Sequence, residues 1–149
     1  MIDGVKITPL TQILDDRGKV MHLIRSDSDV FIQFGEVYFA CVYRDKVKAW
    51  KLHKKMTLNC AVPYGHVKFV LYDERPDSSS AGEIQEVFLG PDHYCLLTVP
   101  PMIWTGFQGI GHEMAILVNC ASLPYAADEV ERRKDDDAVI PYDWMLLNK

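Results

Sequence analysis

His53 closes the run Val47–His53 (Val-Lys-Ala-Trp-Lys-Leu-His), and Lys54 and Lys55 follow it directly. A neutral imidazole is the side chain best suited to take up a proton near neutral pH, so this position could serve a base. A histidine that merely caps a strand end would have the same surroundings. Lys55 could meet a phosphate or stand on an exposed turn, the commoner place for a lysine. Trp50 lies in the same run. Trp104 lies in Pro100-Pro101-Met102-Ile103-Trp104-Thr105-Gly106-Phe107, a proline-punctuated turn leading into a strand. Either indole could stack on a sugar or a base, or fill a β core. Metal chemistry is not expected. His66, His93 and His112 fall in turns or at strand edges, and with His53 they make no ligand set readable from spacing. Cys41, Cys60, Cys95 and Cys120 have no close C-x-x-C spacing and sit in apolar, β-rich runs, so buried reduced thiols are expected. No phosphate-cradling glycine loop or dinucleotide fingerprint is present. The chemistry these residues allow is proton transfer without a cofactor.

Short strand-like segments have to position these groups. Candidates are 4–8, 19–23, 36–42, 47–52, 58–62, 67–72, 84–88, 93–99 and 114–119. Turn residues separate several of them, as in Asp16-Arg17-Gly18, Pro63-Tyr64-Gly65 and Gly90-Pro91-Asp92. Val67, Phe69 and Leu71 alternate with Lys68 and Val70, a period near two. Residues 126–133 read as a short polar helix, and Pro76-Asp77-Ser78-Ser79-Ser80-Ala81-Gly82 as a mobile loop. Many short strands at close spacing predict a sandwich or barrel.

A chain of 149 residues suits one domain with a real core. A net charge of −5 argues against a general nucleic-acid binder, while a local basic pocket for a phosphorylated small molecule stays open. There is no basic-then-apolar leader and no apolar run of membrane-spanning length. A cytoplasmic protein with neither a nucleic acid nor a membrane as partner is expected.

The order of these pieces, with Val-Lys-Phe-Val-Leu-Tyr-Asp at 67–73 and then Arg75, Ser79 and Gly82 between them, resembles the dTDP-4-dehydrorhamnose 3,5-epimerase family. The resemblance runs from about Asp16-Arg17-Gly18 to Ile140-Pro141-Tyr142-Asp143-Trp144. It implies an all-β, cupin-type jelly roll over 1–149, with one short C-terminal helix. It also implies a cofactor-free isomerase that inverts carbons beside the ketone of a nucleotide-linked 4-keto-6-deoxy sugar, in deoxysugar or polysaccharide biosynthesis. Such epimerisation needs a base, a donor that holds the enolate, and an acid that returns a proton to the opposite face.

His53 aligns with the family's base. Arg17 matches a nucleotide contact, Gln33 the first residue of a substrate-contacting Gln-x-Asn, and Glu129 a substrate-contacting glutamate. Elsewhere the pattern departs. Trp50 replaces an arginine, Gly35 the asparagine of Gln-x-Asn, Thr105 a substrate-contacting histidine, and Val118 the proton-donating tyrosine. The family's base-orienting carboxylate lies in a segment beyond the last residue here, leaving Asp143 as a possible substitute. Asn119 could then hold the enolate and Tyr125 return the proton. Family members pair by exchanging N-terminal strands, so a homodimer through 4–8 is expected. Two alternatives remain: a cupin that binds sugar nucleotides but has lost its proton donor, and one that runs another proton transfer on a non-nucleotide substrate.

Overall fold

In the computed structural model residues 1–145 are described, so the last four positions of the expected 1–149 domain lie outside the described residues. Twelve strands run in chain order: β1 Lys6–Pro9, β2 Gln12–Asp15, β3 Gly18–Met21, β4 Glu36–Tyr43, β5 Val47–His53, β6 Leu58–Tyr64, β7 His66–Tyr72, β8 Ile84–Leu89, β9 Cys95–Val99, β10 Trp104–Ile110, β11 Met114–Ala121 and β12 Val130–Arg132. Two five-stranded antiparallel sheets, β1-β9-β6-β11-β4 and β12-β5-β10-β7-β8, pack face to face, and β2 and β3 form a separate hairpin. This is the two-sheet, all-β arrangement expected from the strand spacing, and the jelly roll that the resemblance implies.

Alternation decides the inner faces. Val67, Phe69 and Leu71 of β7 join Leu58, Cys60, Leu97 and Leu117 in the core between the sheets. The opposite face of β7 is buried as well. Val70 packs with Trp50, Leu52 and Trp104 beneath Ile140 and Trp144 of the C-terminal segment, which crosses the outside of the second sheet. Lys68 on that face is 4% exposed and lies 5.2 Å from the Tyr142 ring and 5.6 Å from the Trp144 ring.

Three expectations are corrected. The helix at 126–133 is only a 3-10 turn at Ala127–Glu129, followed by β12, which pairs Val130 with His53 and Arg132 with Lys51. A helix there would leave the edge of β5 with open backbone groups; instead Trp50 and Arg133 exchange two backbone hydrogen bonds. Strand β2 was missed because Ile13 and Leu14 are both exposed, so no buried face marks it. The loop at 76–82 is pinned: the fully buried Asp73 carboxylate accepts hydrogen bonds from the Arg75 guanidinium and from the Ser78 and Ser80 hydroxyls.

Candidate active site

β5 supplies one wall of a cavity between the sheets. Its pairing with β10 steps from Lys51↔Thr105 to Lys48↔Phe107, so β5 carries one extra residue there, opposite Gly106. This bulge brings Lys48, Lys51 and His53 to one face, where they line an inner cavity of about 110 Å³ with Tyr38, Thr105 and Phe107. An outer cavity of about 290 Å³ shares Tyr38, Lys51 and His53 and adds Glu36, Tyr125 and Arg132. The outer volume is close to the low end, about 300 Å³, of small-molecule sites, while the inner one is far below it. A large ligand must therefore extend outward from His53.

His53 is held from behind. Its Nδ1 lies 2.6 Å from Oε1 of Glu129, and both side chains are buried. Oε2 of the same carboxylate accepts the backbone N–H groups of Lys55 at 3.0 Å and Met56 at 3.3 Å. Burial pushes the Glu129 carboxyl up, but the hydrogen bonds from His53, Lys55 and Met56 outweigh it and leave the group below the usual carboxylate range. An ionised Glu129 fixes the proton of the neutral ring on Nδ1 and leaves Nε2, without a protein partner among the described residues, to accept one. The backbone is fixed too: Met102 N–H donates to the His53 carbonyl over 2.7 Å, so the Pro100-Pro101 turn locks the end of β5.

The mouth carries Lys51 and Arg132, which β12 brings opposite one another, against the single carboxylate of Glu36, and Lys48 stands further in on the same strand as Lys51. Burial lowers the Lys51 ammonium below the usual lysine range, and repulsion from Arg132 and Lys48 lowers it further, so an anion between them would be welcome. The inner floor is apolar, built by Leu58, Cys60, Phe69 and Leu117. The Cys60 thiol is pushed up to about 12 by burial, which makes it filler and not a nucleophile.

Of the residues singled out from sequence, His53, Thr105 and Tyr125 line these cavities. Thr105 spends its hydroxyl on the Lys51 carbonyl at 3.1 Å, and Tyr125 is 58% exposed at the outer mouth. Others lie elsewhere. Asn119 is fully buried and lines neither cavity: Oδ1 accepts Asn59 N–H and Nδ2 donates one N–H to the Tyr38 oxygen, so the amide is held against the sheet, away from the space an enolate would occupy. Trp50 and Trp104 face the outer layer, away from the cavity, because the alternation that turns Leu52 outward carries them with it. Trp104 Nε1 bonds Glu74 and its ring stacks under Arg133. Arg17 sits on the exposed β2–β3 hairpin, paired with Asp15. Gln33 donates to the Ser122 carbonyl, and Lys55 contributes its backbone N–H to Glu129. None of these three lines either cavity. Glu129 is turned onto His53 and is not among the lining residues. Among the described residues Asp143 accepts only Met145 N–H, and the carboxylate behind His53 is Glu129.

Val118 faces outward beside Phe39, its partner in the ladder, while Leu117 and Asn119 face inward. The missed residues are Tyr38, Lys48, Lys51 and Arg132. The predicted strand at 36–42 put Tyr38 on a definite face, and that signal was available; the bulge that aligns Lys48 with Lys51 leaves no mark in the sequence. Among the described residues no group of three or more His, Cys, Asp or Glu side chains is arranged to hold a metal ion.

No family model matches the chain. It is 32% identical over 146 residues to the spore coat polysaccharide biosynthesis protein SpsL of Bacillus subtilis, covering 97% of each. It is also 32% identical over 144 residues to Agl13 of Haloferax volcanii, a probable low-salt glycan biosynthesis epimerase, covering 95% of this chain and 89% of that one. Among solved structures, a dTDP sugar isomerase from Desulfovibrio desulfuricans superposes with a TM-score of 0.94 at 43% identity, over 96% of this chain and 92% of that one. A dTDP-4-dehydrorhamnose 3,5-epimerase from Elizabethkingia anophelis has the same fold, with a TM-score of 0.81 at 18% identity over 98% and 84%.

Proposed function

The chain belongs to the dTDP-4-dehydrorhamnose 3,5-epimerase family, and from that premise we propose that it epimerises a nucleotide-linked 4-keto-6-deoxy sugar without a cofactor. The buried His53–Glu129 pair at the cavity wall carries this reading. Nε2 of His53 takes the proton from the carbon beside the ketone, and the C–H electron pair moves into the enolate. Glu129 stabilises the imidazolium that results, as an ionised carboxylate behind a histidine base does. Lys48 faces the enolate oxygen from the same wall, and Lys51 with Arg132 receives the diphosphate at the mouth. The nucleotide then lies outside the narrow inner cavity.

Solvent-deuterium incorporation into a panel of dTDP-, GDP-, UDP- and CDP-linked 4-keto-6-deoxy sugars tests the reading. Exchange that His53→Asn abolishes is expected. Absence of exchange with every donor would overturn it and favour a binding role or another substrate.

The names of the relatives support a place in glycan or polysaccharide assembly. Four free thiols suit a reducing compartment, the cytoplasm. No helix among the described residues is long and apolar enough to cross a membrane. A homodimer would cover Val37, Phe39 and Tyr43 on the outer face of the edge strand β4, and would give the lone β2–β3 hairpin, with exposed Ile13, Leu14 and Val20, something to pack on. Light scattering on the purified chain should return twice its 17.0 kDa mass.

A further inference from the structure

Inversion needs an acid on the face opposite the base, and the position aligned with the family's phenol, Val118, points out of the barrel. Two other tyrosines reach the cavities. Tyr125 lines only the outer one, is 58% exposed, and has no side-chain hydrogen-bond partner among the described residues. Tyr38 lines both, on β4 of the first sheet, while His53 is on β5 of the second. The two groups stand on opposite walls of the same space.

The phenol of Tyr38 is also oriented. Asn119, its direct partner in the β4–β11 ladder, donates Nδ2–H to the Tyr38 oxygen over 3.0 Å. That amide cannot turn round, because its Oδ1 already accepts Asn59 N–H at 2.9 Å. Asn59 is secured in turn by the Thr98 hydroxyl at 2.8 Å. The Tyr38 oxygen is therefore an acceptor towards the strand, and its own O–H is left to donate into the cavity.

From this geometry, and resting on the epimerase reading above, we propose that Tyr38 is the acid that returns the proton, with Asn119 as its positioning residue. His53 removes the carbon-bound proton. The Tyr38 O–H bond then breaks as a new C–H bond forms on the other face, and the enolate pair returns to carbon. The phenolate left behind keeps its hydrogen bond from Asn119 and is reprotonated by water, while His53 sheds its proton to water. Burial raises the Tyr38 phenol, partly offset by the Asn119 hydrogen bond, so the group is protonated at the start of each turnover. The family's acid has moved from one strand to its neighbour in the sheet.

The test is Tyr38→Phe beside Tyr125→Phe and wild type, in deuterated water, with deuterium counted by mass spectrometry and product configuration read by NMR. The phenyl ring keeps the packing, and a melting curve checks the fold. Tyr38→Phe is expected to retain exchange within about threefold, because His53 returns a solvent deuteron to the face it came from. Inverted product should fall by about 10²-fold or more. Wild-type levels of inversion would overturn the assignment, as would loss of exchange together with inversion in a folded variant. Uncoupling by Tyr125→Phe instead would move the role to that residue. If wild type itself exchanged no deuterium, the epimerase reading would fall and the assignment with it; an active wild type beside a fully inverting Tyr38→Phe would remove the assignment alone.

Discussion

Glu129 and His53 are 76 residues apart in sequence and 2.6 Å apart in the fold, because β12 zips onto the edge of β5 immediately after the 3-10 turn that carries the glutamate. The catalytic candidate and the carboxylate that sets its tautomer are thus fixed by one short backbone pairing.

Glu129→Gln keeps the size of the side chain and removes the charge that stabilises the imidazolium. Its kcat should fall by about 10²–10³-fold with little change in KM, since loss of general acid–base function is worth about 10²–10⁴. Glu129→Ala also orphans the N–H groups of Lys55 and Met56, and each buried orphan costs about 1–3 kcal/mol. Steady-state kinetics beside urea melts separates the two effects.

Stability should depend on acid pH with a definite sign. Burial works against the charged forms of Asp73 and Glu129, but hydrogen bonds from Arg75, Ser78 and Ser80 to the first, and from His53, Lys55 and Met56 to the second, hold both below the usual carboxylate range. A carboxyl lowered in the fold contributes stability that is complete above its unfolded value, about 4, and disappears as pH falls through its folded value. Urea melts should therefore give a plateau above about pH 5 and a decline below about pH 4. Asp73→Asn should flatten that decline and lower the plateau; an unchanged slope would rule the Asp73 cluster out as its source.

Gly106 is where the outer layer touches the second sheet. A Cβ there would lie 2.5 Å from the Ala49 Cβ and 2.8 Å from Trp144 Cζ2. Overpacking of this kind costs about 1–3 kcal/mol. Gly106→Ala should lower the melting temperature and shift tryptophan emission as Trp144 is pushed from Trp50, whose ring centroid is 5.0 Å away.

Arg132 lines the outer cavity and has no hydrogen-bond partner for its side chain among the described residues. Arg132→Gln should raise KM for a nucleotide-linked substrate by about tenfold, with the difference shrinking as salt is added, because exposed charges are screened over about 8–10 Å. A salt-independent change would place the diphosphate elsewhere.

The strands and the all-β sandwich were legible because they rest on local pattern: alternation in 67–72 and the turn residues between segments mark the strands. The jelly roll and the role expected of His53 came with the family resemblance, since a histidine at the end of a periodic run could equally cap a strand. What failed was non-local. The charge run at 126–133 reads as a polar helix until β5 is seen to need an edge partner. The outward turn of Trp50 and Trp104 depends on an outer layer formed by Ile140 and Trp144, far along the chain. The engagement of Asn119 with Tyr38 depends on the β4–β11 register, which joins residues 81 positions apart.

His53 belongs to one sheet and Tyr38 to the other, so the gap a substrate must bridge is the thickness of the core between them. Leu58, Phe69 and Leu117, which never handle a proton, set that span as the jaws of a caliper are set by its screw. A lineage could refit the enzyme to a bulkier or a slimmer sugar ring by resizing those core side chains, leaving His53 and Tyr38 as they are.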